Sequence, residues 1–147
     1  APHLAGPSQA IRKSISKLVL DSEIRILVQI LTAMRNGCAF CADLALAEGV
    51  KKKIGREKFQ ALGIWLSDGN KQLQSEQFTE KQMVALELAD LIASHSVTDE
   101  AFANAGRFFN ERELIEIAWV VSVESYYNAL NGALGIGSDH LAAMVSE

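Results

Sequence analysis

Apolar residues recur at helical spacing along most of this chain. The only prolines, Pro2 and Pro7, lie near the N-terminus, so everything beyond them is free to be helical, and ten glycines mark the breaks. Ser8 can cap a first helix over about Gln9 to Val19, with Ile11, Ile15 and Leu18 on one face. Asp21 caps a second, Ser22 to Arg35, which Asn36-Gly37 stops. A third runs from Cys38 to Glu48 and ends at Gly49. A fourth spans Arg56 to Ser67, before a turn at Asp68-Gly69-Asn70. Thr79 caps the fifth, which carries Met83, Leu86, Leu88, Leu91 and Ile92. Thr98 caps the sixth, where Asp99 and Glu100 suit the positive end of the helix dipole. Asn110, followed three residues later by Glu113, has the form of a capping box and opens a seventh helix that reaches about Asn131. Ser138 starts a short last helix. The predicted class is therefore all-α, with seven to eight helices in one domain over residues 1–147.

The seventh helix is distinctive. Leu114, Ile115, Ile117, Ala118, Trp119, Val120, Val121 and Val123 leave little polar surface in its middle. A helix apolar nearly all round is buried in a core or between subunits. In a chain this small the pattern predicts a homo-oligomer, the alternative being the central helix of a monomeric bundle. Trp65 and Trp119 are expected in a core or interface, and Tyr126 and Tyr127 as packing residues.

Composition adds exclusions. With 49% hydrophobic residues a core is feasible. The net charge of −4 gives no reason to expect nucleic acid, which needs clustered Lys and Arg. The one basic run, Lys51-Lys52-Lys53, reads as a solvated helix end before Gly55. No apolar run approaches the roughly 20 residues of a membrane span, and no secretory pattern opens the chain. A cytoplasmic location is the expectation. Two cysteines do not make a disulfide scaffold, so a Cys-x-x-Cys points to redox or metal chemistry.

That chemistry centres on Asn36-Gly37-Cys38-Ala39-Phe40-Cys41. If Gly37 ends one helix and Cys38 opens the next, unsatisfied N–H groups and the helix dipole converge there. A thiolate in that position is stabilised, and its pKa falls below the free value of about 8.5. Cys41 lies on the same helical face, close enough to attack a sulfenic acid or mixed disulfide on its neighbour. The spacing suits a reversible dithiol/disulfide cycle. Zinc would need two more ligands, and His3, His95 and His140 form no paired motif, so no metal and no cofactor is expected. Two buried, inert cysteines are the other possibility.

The segment Asn36-Gly37-Cys38-x-x-Cys41-x-Asp43 resembles the active-site region of the carboxymuconolactone decarboxylase superfamily, and within it the AhpD-like alkylhydroperoxidases. The resemblance extends to Leu20-Asp21, Arg25, Ala61 to Trp65, Phe78-Thr79-Glu80 and Val97-Thr98-Asp99-Glu100. Arg112-Glu113-Leu114-Ile115-Glu116 and Tyr127-Asn128-Ala129-Leu130-Asn131 continue it. It implies an all-helical fold that assembles into trimers or hexamers. It also implies peroxide reduction in which Cys41 attacks the peroxide, Cys38 resolves the sulfenic acid, and a dithiol reductant restores the pair.

Two departures accompany it. The family's peroxidases place a His four residues after the second cysteine and a Glu twelve before the first, as a proton relay. This chain has Ala45 and Ile26 there. General acid–base assistance is worth roughly 10²- to 10⁴-fold, so weakened activity is expected. Glu23, one turn before Ile26, could replace the relay or be an exposed charge near a helix start. Glu124 interrupts the apolar seventh helix and forms a polar stripe with Asn128 and Asn131. A buried carboxylate must be hydrogen-bonded or have a raised pKa. Glu124 is therefore a candidate third member of the site beside Cys38 and Cys41, its alternative being a structural hydrogen bond. His95, between two helices, reads as an exposed loop residue. The competing functions are a non-catalytic family member serving assembly or ligand binding, and a decarboxylase-like enzyme on a small lactone or acid.

Overall fold

The computed structural model describes residues 1–67 and 76–145. Among these residues there are eight helices and no strand: α1 (Pro2–Ile15), α2 (Ser22–Arg35), α3 (Ala39–Lys51), α4 (Arg56–Ser67), α5 (Glu80–Ala93), α6 (Asp99–Ala105), α7 (Glu111–Ala133) and α8 (Leu141–Met144). The all-α expectation holds. The expected turn at Asp68-Gly69-Asn70 lies outside the described residues. No helix among the described residues is long and apolar enough to cross a membrane.

The helix starts obey their capping residues. Asp21 accepts the N–H groups of Glu23 and Ile24 at 3.1 and 3.0 Å. Thr79 with Gln82, and Asn110 with Glu113, form reciprocal capping boxes. Boundaries differ from expectation at three helices, α8 being the single turn Leu141–Met144 after His140 where a start at Ser138 was expected. Helix α1 begins at Pro2 and runs through Pro7 instead of starting after Ser8, and none of its residues is buried. Helix α3 continues through Gly49, which does not act as a stop. A Cβ there would lie 2.7 Å from the Phe59 ring, so the glycine lets α4 approach α3 closely.

The centre of the molecule is α2, which packs on α3, α4, α5 and α7. Ile26, Leu27, Val28, Ile30 and Leu31 are almost wholly buried. Each contributes on the order of 2 kcal/mol of hydrophobic stabilisation. Its last residue, Arg35, grips Asp90 of α5 through two hydrogen bonds of 2.6 and 2.7 Å. Helix α7 is buried on one face only. Leu114, Ile117, Val120 and Val121 face the core, while Ile115, Trp119, Tyr126 and Leu130 are exposed in this single chain. The helix that is enclosed nearly all round is thus α2, because four helices surround it. Trp65 packs against the core, whereas the exposed Trp119 donates its indole N–H to Ser14 at 2.7 Å.

Glu116 closes the link between α1 and α2. One carboxylate oxygen accepts the backbone N–H groups of Val19 and Leu20 at 2.9 and 2.7 Å, and the other accepts from Arg112 at 3.0 Å.

Candidate functional site

Helix α2 ends in a motif that sets up the start of α3. Gly37 adopts φ +70, a left-handed conformation open to glycine at little cost. The N–H of Cys38 then reaches back to the carbonyl of Ala33 at 2.9 Å, closing a Schellman-type cap. Cys38 is left in extended conformation as the N-cap of α3, and its sulfur accepts the N–H of Cys41 at 3.3 Å. Cys38 and Cys41 are joined in a disulfide, with their Cα atoms 5.4 Å apart. Both are buried, packed with Ala33, Phe40 and Ala42. The side-chain amide of Asn131, from α7, donates to the Cys41 sulfur at 3.2 Å.

A ladder of polar side chains runs beside the pair. Asn36 donates to Asn128 Oδ1 at 2.9 Å, and Asn128 in turn donates to Glu124 Oε1 at 2.7 Å. Glu124 is also bonded to Gln29. Gln29 accepts from Arg25 at 2.7 Å, and Arg25 pairs with Glu48 at 2.7 Å. Burial pushes the Glu124 carboxyl up to about 7, against the opposing hydrogen bonds from Asn128 and Gln29. Glu124 and Asn131 are separated by two turns, about 10 Å along the helix. The direct contact with sulfur is therefore made by Asn131, and Glu124 is tied through Asn128 to Asn36 at the end of α2.

Asp43, two residues beyond Cys41, faces the other way. Its carboxylate accepts the N–H groups of Leu141 and Ala142 at 2.6 and 2.9 Å, capping α8 from another helix. Burial alone would raise its pKa. The backbone bonds from Ala142 and Leu141, the Ser138 hydroxyl and the charge of His140 together hold it below the ordinary value. Glu23 lies near the start of α2, about 18 Å along the helix from Arg35. It is held there by Lys58 and by Gln82 at 3.1 Å. It is a structural ion pair remote from the thiols. Tyr127 donates to the Ser8 carbonyl at 2.9 Å, a packing role.

A cavity of about 550 Å³ opens between the ends of α2 and α5 and the middle of α7. Asn36, Asn128 and Ser125 supply polar groups, Ile92 and Val121 apolar wall, and the exposed His95 the rim.

No family model matches the chain. An uncharacterised protein of Bacillus subtilis, YdfG, is 24% identical over 139 residues, covering 90% of each chain. A crystal structure from Agrobacterium tumefaciens superposes with a TM-score of 0.83 at 18% identity, over 94% of this chain and 92% of that one. That protein is described as of unknown function and assigned provisionally to antioxidant defence as AhpD. The chain has the AhpD-like fold. Within this fold the two positions where the resemblance leads one to look for a relay are apolar. Ile26 is fully buried and Ala45 nearly so, and both belong to the main hydrophobic core. Ile26 faces α3, since a Cβ on Gly49 would meet its Cγ2 at 3.4 Å. The polar groups beside the cysteine pair come instead from α7. The spacing of Glu124, Asn128 and Asn131 was their visible signal in the sequence. Gln29 and Arg25 pair with each other at i, i+4 on α2, but their links onward to Glu124 and Glu48 cross to other helices, and spacing alone did not show those.

Proposed function

We propose that this protein is a thiol-dependent peroxide reductase of AhpD-like type, cycling Cys38 and Cys41 between dithiol and disulfide. The observation that carries this reading is the buried cysteine pair at the mouth of α3, where each sulfur accepts an N–H donor. The Cys41 thiolate attacks a peroxide oxygen. The O–O bond breaks, its electron pair leaves with the alkoxide or hydroxide, and a proton converts that to alcohol or water. Cys41 is now a sulfenic acid. Cys38 attacks its sulfur, the disulfide forms, and water leaves. A dithiol donor returns two electrons and two protons, becoming a disulfide itself. Glu124 belongs to the site as its protonatable member, acting through Asn128 without touching the sulfurs. With apolar residues at positions 26 and 45, turnover is slow relative to an enzyme with a full relay.

The exposed row Ile115, Trp119, Tyr126 and Leu130 supports assembly into a homo-oligomer, a trimer or hexamer on the resemblance. A second reading, a non-catalytic member that binds a ligand in the cavity beside Asn36, is favoured by the apolar Ile26 and Ala45. A thiol titration separates the two. Reduced protein is counted for free thiols before and after stoichiometric hydrogen peroxide. The expected result is loss of both thiols with disulfide formation, and no intramolecular disulfide in Cys41→Ser. An unchanged thiol count in the parent chain overturns the peroxidase reading and leaves the ligand-binding one.

A further inference from the structure

The two sulfurs are served by donors of different kinds. Cys38 accepts a backbone N–H at the start of its own helix, a donor that any residue at position 41 except proline would supply. Cys41 accepts a side-chain amide from a different helix, and that donor depends on one residue, Asn131. The difference matters because Cys41 is buried, at 6% exposure. A thiolate withdrawn from water is disfavoured unless something hydrogen-bonds to it. The backbone N–H of Cys41 is already directed at Cys38. Asn128, one turn earlier on α7, is committed to Glu124 and Asn36. Asn131 is the stripe member whose amide points at sulfur.

We propose that Asn131 is a catalytic residue, its amide holding the Cys41 sulfur as a thiolate in the reduced protein. This rests on the reading of Cys41 as the attacking thiol. An amide neither titrates nor carries charge, so its support is constant across the pH range in which a histidine would switch. The same donor acts on the return half of the cycle. When a thiolate of the dithiol donor attacks Cys38, the S–S bond breaks and its electron pair moves to Cys41. The amide of Asn131 is already in place to receive that charge. Cys41 is then the leaving sulfur, and the mixed disulfide forms on Cys38.

The test reads the Cys41 thiol directly. In a Cys38→Ser background, thiolate absorbance is followed against pH for the parent, Asn131→Ala and Asn131→Asp. Removing a hydrogen bond to a charged acceptor is expected to raise the Cys41 pKa by roughly one to two pH units in Asn131→Ala. Asn131→Asp keeps the shape and adds a like charge, so it is expected to raise it at least as far. The reaction with hydrogen peroxide at neutral pH should slow about tenfold for each unit. If the alanine variant does not fold, the near-isosteric aspartate variant still decides. An unchanged Cys41 pKa in the folded variants overturns the proposal, whatever the peroxide result. A raised pKa in a chain that peroxide does not oxidise upholds the role of Asn131 and sinks the peroxidase reading alone.

Discussion

Glu116 and Glu124 sit two turns apart on the same helix and are equally buried, at 7 and 8% exposure. Their surroundings differ completely. Glu116 meets two backbone N–H groups and an arginine, so its charge is answered where it lies. Glu124 meets two neutral amides, Asn128 and Gln29, and its pKa rises to about 7. A buried carboxylate is neither structural nor chemical by burial alone. Its partners decide. Donors from the backbone and a cation turn it into a fastener, whereas neutral amides leave it able to change protonation near physiological pH.

Three substitutions sharpen or break this contrast. The largest effect is expected at Glu116. Glu116→Ala leaves the N–H groups of Val19 and Leu20 without their acceptor and should cost about 4 kcal/mol in urea unfolding. A loss below about 1 kcal/mol would show the link is held by something else. Glu124→Gln should act in the opposite direction and depend on pH. Below about pH 4.5 the carboxyl is protonated in both folded and unfolded chains, so the two proteins should be equally stable. Between about 4.5 and 7 the unfolded chain ionises first, and the fold loses stability as pH rises. Above pH 7 the glutamine variant should be more stable by about 3 kcal/mol, and a pH-independent difference would break the contrast. The smallest effect is expected at Asp43, a third buried carboxylate and a fastener like Glu116. Asp43→Asn should cost about 1–2 kcal/mol and speed amide exchange over residues 138–145, leaving the centre of α2 protected. Unchanged exchange there would remove the clamp.

Much of the fold was legible because its signals are local. Asp21, Thr79, Thr98 and Asn110 each bond an N–H within three residues, and each marked its helix start correctly. Gly49 misled because a glycine signals both a stop and a close approach, and only the ring of Phe59 tells them apart. Position 7 also misled: Pro7 lies inside α1, where it removes one i→i−4 hydrogen bond, yet the helix runs through it. At the site, the cysteine pair and the stripe of Glu124, Asn128 and Asn131 could be read from spacing. Which member of the stripe reaches sulfur could not, because that depends on how α7 crosses α3. Asp43 shows the same limit. It stands inside the cysteine motif, yet its partners Leu141 and Ala142 lie almost a hundred residues away, and a chain read in order does not bring them together.

The disulfide joins residues only three apart in sequence. A crosslink stabilises a fold mainly by shrinking the freedom of the unfolded chain, and that effect grows with the length of loop it closes. Here the closed loop is less than one helical turn, so the unfolded chain is hardly confined. The hydrophobic packing around α2 and the carboxylate fasteners carry the architecture whether the bond is open or closed. In the cycle proposed above, the pair would gain and lose electrons without the molecule having to come apart and refold.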